Sequence, residues 1–279
     1  IFPGSQPISI EYRHFDTLTS NPYVVCEKTD GVRFMMLAFI YENKKQCVFL
    51  NRALEMFSCP LNFRKPVYDG TILEGEMYGD TFMIYDILIE CGKVVGNVDF
   101  LTRLKSVENV KKMLTSLKYD PIKLKIKTFH LMDDYKKFME TYLPTVTQDV
   151  DGLIFTPINE PIKTGTHETM FKWKPRDKNT IDFQLKKRGN IWKMYVQERG
   201  KLMFESEILE EQVPLHAREW MEEDAIIECQ YMHKDTPMWW KPILRRYDKT
   251  FPNGRRTFYR TLVNIKEDIS MKDFMNCIP

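Results

Sequence analysis

The segment CEKTDGVRF, residues 26–34, sets a lysine between two apolar runs, YVVC before it and FMMLAFI after it. Lysine is among the residue types least often buried, so Lys28 at the seam of two strands asks for a reason. Strand alternation puts Val24, Cys26 and Lys28 on one side and Tyr23, Val25 and Glu27 on the other. A lysine at a strand end can simply carry its amine out to water, and K-x-D-G alone recurs by accident. Further charged clusters follow, however. LEGEM puts Glu74 and Glu76 on one strand face, and DVDGLIFTP sets Asp151 ahead of an apolar run. FKWKP aligns Lys172 and Lys174 opposite Phe171 and Trp173, and RRYDKTFPN supplies Arg246, Asp248 and Lys249. Singly, each reads as a solvated strand edge, a turn or a charged rim. Taken together they suit one chemistry.

A lysine amine attacks an α-phosphate only when unprotonated, and its free pKa is about 10.4. Burial, neighbouring cations and a metal all disfavour the ammonium form. Lys172 and Lys174 could supply such cations while holding the phosphate. Glu76 and Asp151 offer the oxygen ligands that Mg2+ or Mn2+ prefer. The metal would offset charge on the α-phosphate and on the leaving pyrophosphate. The product would be a covalent lysyl–nucleoside monophosphate, an instance of nucleophilic catalysis.

These residues must be held by strands. YVVCE, RFMMLAFI, CVFL, TILEGEMY, TFMIYDIL, GLIFT, TMFKWK and TIDFQLKK are short apolar runs bounded by turn residues. Two segments read as helices. Leu104, Val107, Val110, Leu114 and Leu117 recur at helical steps in 103–118, and Tyr135, Phe138, Met139 and Tyr142 share a face in 133–143 behind a capping Asp133 or Asp134. Strands with helices clustered in the middle predict an α+β domain on antiparallel sheet. After about 180 the rhythm changes to short strands separated by RGN, ERG and a helical turn near 214–222, the pattern of a small barrel. The expected domains are therefore 1–179 and 180–265, with 266–279 free to pack back onto the first.

Composition narrows the class. Lys and Arg total 41 against 39 Asp and Glu, too balanced for a non-specific nucleic-acid coat, though a local basic groove is allowed. No run approaches the roughly 18 apolar residues of a membrane span, and no charged-then-apolar leader is visible. A chain starting at Ile rather than Met is expected to be cut from a longer one or processed. Cysteines 26, 47, 59, 91, 229 and 277 form no C-x-x-C pair and read as thiols in a reducing compartment. No H-E-x-x-H or Cys/His cluster points to zinc.

The ordered set EKTDGVR, LEGEM, FMIYDIL, DGLIFTP, FKWKP and RRYDKTFPN closely resembles the mRNA capping guanylyltransferases, within the covalent nucleotidyltransferase superfamily that includes DNA and RNA ligases. PISIE, NFRKP, GNVDFLTRL and KWKPRDKNTIDFQL extend the resemblance over nearly the whole chain and favour capping enzymes over ligases. It implies a nucleotidyltransferase domain and a smaller OB-fold domain with a cleft between them. It implies transfer of GMP from GTP, through lysyl-GMP, to a 5′-diphosphate RNA end. Lys28 would be the nucleophile and Arg33 a ribose contact. Glu76 would serve ribose or metal, with Glu74 where an Asp is more often seen. Tyr85 and Ile154 would sandwich the base, Asp151 would act through the metal, and Lys172 and Lys174 would bind the α-phosphate. Arg246, Asp248 and Lys249 would reach the β- and γ-phosphates. Leu244 stands where the family often has another arginine. Trp239, Trp240 and Tyr247 could touch RNA, with at least one of them expected in the barrel core. Triphosphatase and methyltransferase modules, on the same or an associated chain, would be the implied neighbours. The setting would be the nucleus, or a cytoplasmic virus factory if the chain is viral. An ATP-charged polynucleotide ligase and an inert RNA-binding scaffold are the alternatives.

Overall fold

The computed structural model describes residues 2–115, 117 and 119–279. The chain divides into two compact units. The first gathers the N-terminal residues through Ile8, His14–Trp173 and Lys272–Pro279, and the second gathers Ser9–Arg13 and Lys174–Met271. The passage after Trp173 lies a few residues ahead of Asn179, where strand rhythm alone points. Among the described residues, no helix is long and apolar enough to cross a membrane.

Two sheets build the first unit. In one, Ser5–Ser9, Gly165–Trp173, Val150–Pro157, Tyr23–Thr29 and His130–Leu131 lie side by side. In the other, the order is Met56–Ser58, Lys44–Leu50, Val32–Tyr41, Thr71–Tyr78, Thr81–Glu90 and Lys93–Val94, with Lys123–Ile126 running parallel to Thr81–Glu90. The pairs around Tyr23–Thr29 and Val32–Tyr41 are antiparallel, so the α+β, mainly antiparallel architecture read from sequence holds. Residues 23–26 are apolar on both sides of the strand Tyr23–Thr29 because both are covered. Val24 packs with Phe100 and Ile158, while the Tyr23 ring stacks on Phe171 at 5.9 Å. Phe274 reaches in from the chain's end to meet Phe15, Tyr135, Phe155 and Trp173.

The first predicted helix is displaced. It spans Phe100–Lys112, not 103–118, because the Asp99 side chain accepts from the Thr102 N–H and caps it earlier. Its buried stripe is Phe100, Arg103, Val107 and Val110. It stops because the Met113 carbonyl accepts from Arg64 N–H at 2.8 Å and Leu114 is drawn into a bridge with Phe63. Leu117 is exposed, and Ser116 and Lys118 of the predicted span lie outside the described residues. The second helix is broken into short turns, α over Tyr135–Lys137, π over Phe138–Tyr142 and 3-10 on either side. No side chain caps it, and Pro144 closes the run.

The second unit is a five-stranded antiparallel sheet in the order Lys201–Leu209, Ile191–Glu198, Thr180–Arg188, Ile226–Met232, Trp239–Arg245. The two outer strands also approach each other. Ile181, Phe183 and Leu185 alternate with Thr180, Asp182 and Gln184, so only the first set enters the core. Trp192, Met194, Val196, Ile227, Cys229 and Trp240 join that core. Arg255–Glu267, a helix not foreseen from sequence, adds Phe258 and Ile265. The missed signal is the spacing of Phe258, Leu262 and Ile265 after the turn residues Pro252, Asn253 and Gly254.

One buried ion pair ties helix to sheet. Arg103 bonds Asp86 through Nε at 2.8 Å and Nη2 at 3.2 Å, and its Nη1 donates to the carbonyls of Val98 and Glu160. Burial pushes the Asp86 carboxyl pKa up although Arg103 opposes the shift. Removing one partner of such a pair leaves an unmatched buried charge, so Asp86→Ala should cost about 3–5 kcal/mol in chemical denaturation. Asp80→Ala, which breaks the exposed Lys123–Asp80 pair, should leave the same unfolding curve unmoved.

Candidate active site

Lys28 sits one residue before the end of its strand, beside a β-bulge. Val150 pairs with Thr29 and Gly152 with Lys28, so Asp151 between them is the extra residue of the neighbouring strand. The bulge turns its carboxylate onto the lysine: Lys28 Nζ donates to Asp151 Oδ1 at 2.9 Å and Oδ2 at 3.1 Å. Both side chains are mostly covered, 21% and 12% exposed. The glycine of the K-x-D-G turn has a steric reason. A Cβ on Gly31 would lie 2.6 Å from the Tyr78 ring and 2.9 Å from the Met77 carbonyl.

Lys28 opens on a cavity of about 270 Å³, near the lower end for ligand sites. Arg33, Glu76, Tyr85, Ile154 and Lys172 line it, as does Glu74. A second bulge presents Tyr85. Glu74 pairs with Asp86 and Gly75 with Ile84, which leaves Tyr85 as the extra residue. Gly75 permits this close approach, since a Cβ there would stand 2.5 Å from the Met83 carbonyl. Ile154 and Lys172 are direct cross-strand partners, so their side chains emerge together on the cavity side.

Arg33 is held rather than loose. Its Nη2 donates to Glu74 Oε1 and, at 3.0 Å, to the Ser5 carbonyl. The guanidinium lies 4.9 Å from the Phe2 ring centre and 6.0 Å from that of Tyr85. Its Nε is buried without a hydrogen-bond partner in the protein, a donor left for something else. Tyr85 donates to Glu74 at 3.2 Å, and burial raises its pKa so that the phenol stays neutral. Glu76 is braced from below: its Oε2 accepts from Thr29 Oγ1 at 3.1 Å and from the Tyr78 hydroxyl.

Sequence reasoning missed two buried charges of this cavity. Lys127 is buried at 8% exposure, donates to Thr29 Oγ1 at 2.9 Å and lies 4.0 Å from Glu27, whose pKa burial raises. Glu27 and Lys127 both line the cavity. Nothing in KLKIK separates Lys127 from exposed Lys123; burial decides it.

Glu76 and Asp151 do not form a protein-made metal cage, and among the described residues no cluster of three or more His, Cys, Asp or Glu could hold an ion. Two hard carboxylates beside a cavity instead fit a cation that keeps waters and takes its other ligands from a substrate phosphate, the usual habit of Mg2+.

The remaining predicted residues lie in the second unit. Lys174 opens its main segment. Arg246 and Lys249 gather on Asp182, a residue that sequence reasoning passed over, and Asp248 pairs with Arg246. Arg246 Nη1 is 3.4 Å from Asp182 Oδ2 and 3.5 Å from Glu228 Oε2, its Nη2 is 2.8 Å from Asp248 Oδ2, and Lys249 also pairs with Asp182. The hydrogen bonds from Arg246 hold the Asp248 pKa down, to about 2. Leu244 is exposed, and neighbouring Arg245 turns to Glu222 at 2.8 Å, so it does not stand in for an arginine at 244. Of the aromatic trio, Trp240 is core while Tyr247 is exposed.

Comparison with known proteins gives this geometry a family. Residues 1–176 match the model of the mRNA capping enzyme catalytic domain, and 163–275 that of the mRNA capping enzyme C-terminal domain. The chain is 30% identical to an mRNA-capping enzyme of Mus musculus over 92% of this chain and 46% of that protein. It is 27% identical to the mRNA-capping enzyme subunit alpha of Schizosaccharomyces pombe, over 100% of this chain and 80% of that protein. Against the mouse and Danio rerio proteins it spans about half their length. Among solved structures, the ATP-dependent DNA ligase of bacteriophage T7 in complex with ATP superposes with a TM-score of 0.48 at 14% identity, covering 88% of this chain and 98% of that one. The strand that carries Lys28, the bulged aspartate and the strand that carries Lys172 thus stand in a chain that belongs to the mRNA capping enzyme family.

Proposed function

We propose that this chain is a GTP–RNA guanylyltransferase: it takes GMP from GTP onto Lys28 and passes it to the 5′-diphosphate end of an RNA. The observation that carries the reading is Lys28 facing Asp151 at 2.9 Å on the rim of a cavity lined by Arg33, Glu76, Tyr85 and Lys172. In the first step the Lys28 amine attacks the α-phosphorus. A nitrogen–phosphorus bond forms, the bridging α–β phosphorus–oxygen bond breaks, and pyrophosphate leaves. Asp151 is within hydrogen-bond reach to take the amine proton. In the second step a terminal oxygen of the RNA diphosphate attacks the same phosphorus, and the nitrogen–phosphorus bond breaks.

The other roles follow the site's chemistry. Ile154 and Tyr85 hold the base, Arg33 and Glu76 hold the ribose, and Lys172 with Lys174 holds the α-phosphate. Arg246, Asp248 and Lys249 serve the β- and γ-phosphates. Mg2+ or Mn2+ at Glu76 and Asp151 would supply charge neutralisation on the phosphates. The strand order of the second unit, with its outer strands approaching and helical turns between the third and fourth strands, supports an OB-fold. Eukaryotic relatives support a nuclear setting, and a relative named subunit alpha supports work beside an associated subunit. Triphosphatase and methyltransferase activities are assigned to neighbours on the same or another chain.

Two measurements test the reading. With α-labelled GTP and a divalent metal, the protein should acquire label on the peptide containing Lys28, and ATP should not replace GTP. Lys28→Ala should abolish labelling, and so should Lys28→Arg, because an arginine stays protonated. Label on any other peptide, or charging by ATP alone, would refute the assignment. For the second, Lys249→Ala should charge on the order of 10²-fold more slowly, the size seen when a positioned transition-state donor is lost. Once precharged by long incubation, it should transfer GMP to diphosphate-ended RNA at close to the normal rate. Normal charging with failed transfer would move Lys249 from the triphosphate to the RNA.

A further inference from the structure

The outer face of the second unit's sheet carries an aromatic pair that its core does not use. On Ile191–Glu198 the side chains of Trp192, Met194 and Val196 are buried, which leaves Lys193, Tyr195 and Gln197 on the opposite face. Tyr195 stands directly across from Phe204 on Lys201–Leu209. Their rings meet edge to face at 5.9 Å, and the Lys193 ammonium stands 5.3 Å from the Phe204 ring centre. Phe204 is nonetheless 49% exposed. A phenylalanine half in water on a strand centre gains little from the fold and leaves a stacking surface open.

The charges on this face are mixed. Lys186 and Lys193 are direct cross-strand partners, and like charges so placed repel. Lys186 is relieved by Asp224 at 2.6 Å. Lys193 has Glu207 opposite it in register, while nearby Glu205 is taken by Arg255 and Tyr259. The face also joins the phosphate cluster. Tyr195 opposes Gln184 on Thr180–Arg188, and two residues along that strand, on the same side, is Asp182, the anchor of Arg246 and Lys249. Strand geometry puts Phe204 about 12 Å from Asp182, two residues along and two strands across.

We propose that this face is the track for the acceptor: single-stranded RNA near its 5′ end, with bases stacked on Phe204 and Tyr195 and phosphates beside Lys193. The proposal rests on the guanylyltransferase reading and names the surface that would receive its RNA. A cation beside stacked aromatic rings, continuous with a phosphate-directed cluster, suits single strands whatever their sequence. A purely structural cross-strand pair would hold the sheet but ignore RNA.

The test uses the double variant Tyr195→Leu, Phe204→Leu, which keeps apolar contact across the strands and removes both ring faces. Charging with labelled GTP should be unchanged, which also shows that the variant is folded. The KM for a diphosphate-ended single strand of about ten nucleotides should rise on the order of tenfold or more, while transfer to a diphosphate-ended dinucleotide should not change. Phe204→Trp should keep the wild-type KM. Binding of a fluorescent single-stranded RNA, measured by anisotropy, should weaken in parallel in the double variant. Unchanged RNA binding and KM would overturn the proposal, as would an equal loss on blunt duplex RNA. Failure of the wild-type protein to charge with GTP would instead refute the guanylyltransferase reading, and the anisotropy comparison would still decide the role of the face. If the double variant does not fold, Phe204→Leu alone is subjected to the same measurements, with the same outcomes deciding.

Discussion

The contact between Lys28 and Asp151 depends on a mismatch in the sheet. Two perfectly registered strands would place a residue facing Lys28 and send its neighbour to the other side. The extra residue at Asp151 breaks that rule and turns a carboxylate onto the amine. Such a bulge persists only if its surroundings are rigid. Leu153 and Phe155 beyond it are fully buried, as are Val24 and Val25 across from it. The core therefore fixes the register on which the polar contact depends. The glycine turn adds a second limit: with Tyr78 against Gly31, position 31 has no room for a side chain.

Around that contact the protein buries other charges in opposite-sign pairs: Arg33 with Glu74, Arg103 with Asp86, Lys127 beside Glu27. Desolvation makes such pairs weak contributors to stability, and apolar replacements of similar volume are often no worse. Their value here is positional. Glu74 and the Ser5 carbonyl fix the Arg33 head and leave Nε buried without a protein partner. Lys127, Thr29 and Tyr78 converge beneath Glu76 and limit where its carboxylate can move. A cavity built this way is polar before any ligand arrives, so the ligand meets oriented groups and not a rearranging shell.

Much of this was legible in the sequence, and the reasons differ by element. The strands are visible because apolar residues lie between turn residues, and Lys28, Arg33, Glu76 and Lys172 fall on them at cavity-facing positions. The bulges were not legible. A one-residue insertion in a pairing depends on two strands at once, so neither the position of Tyr85 nor that of Asp151 could be derived from its own segment. Lys127 looks like a solvated alternating lysine, yet its amine turns inward to Thr29 and Glu27. The helix boundary slipped because Leu114 and Leu117 keep the right spacing while a bridge to Phe63 ends the helix first. Arg255–Glu267 was hidden by its charges, and Asp182 by its place among core residues of its strand.

If the second unit's charged cluster receives a phosphate, as proposed, it must do so from a paired state. Arg246 and Lys249 are both bound to carboxylates, and on the proposed reading a polyphosphate must draw on the same donors. The partners are not equal. Asp182 is 6% exposed at its side chain and Asp248 is 66% exposed. Separating Arg246 from Asp182 would leave a buried carboxylate short of partners, which is costly. Separating it from Asp248 returns an exposed carboxylate to water, which costs little. The guanidinium can therefore keep Asp182 as its anchor and turn the edge now facing Asp248 toward phosphate oxygens, where a planar fork gives two parallel hydrogen bonds. On the proposed reading, Asp182 sets the place of the cation, and Asp248 holds its outer edge until a stronger anion replaces it.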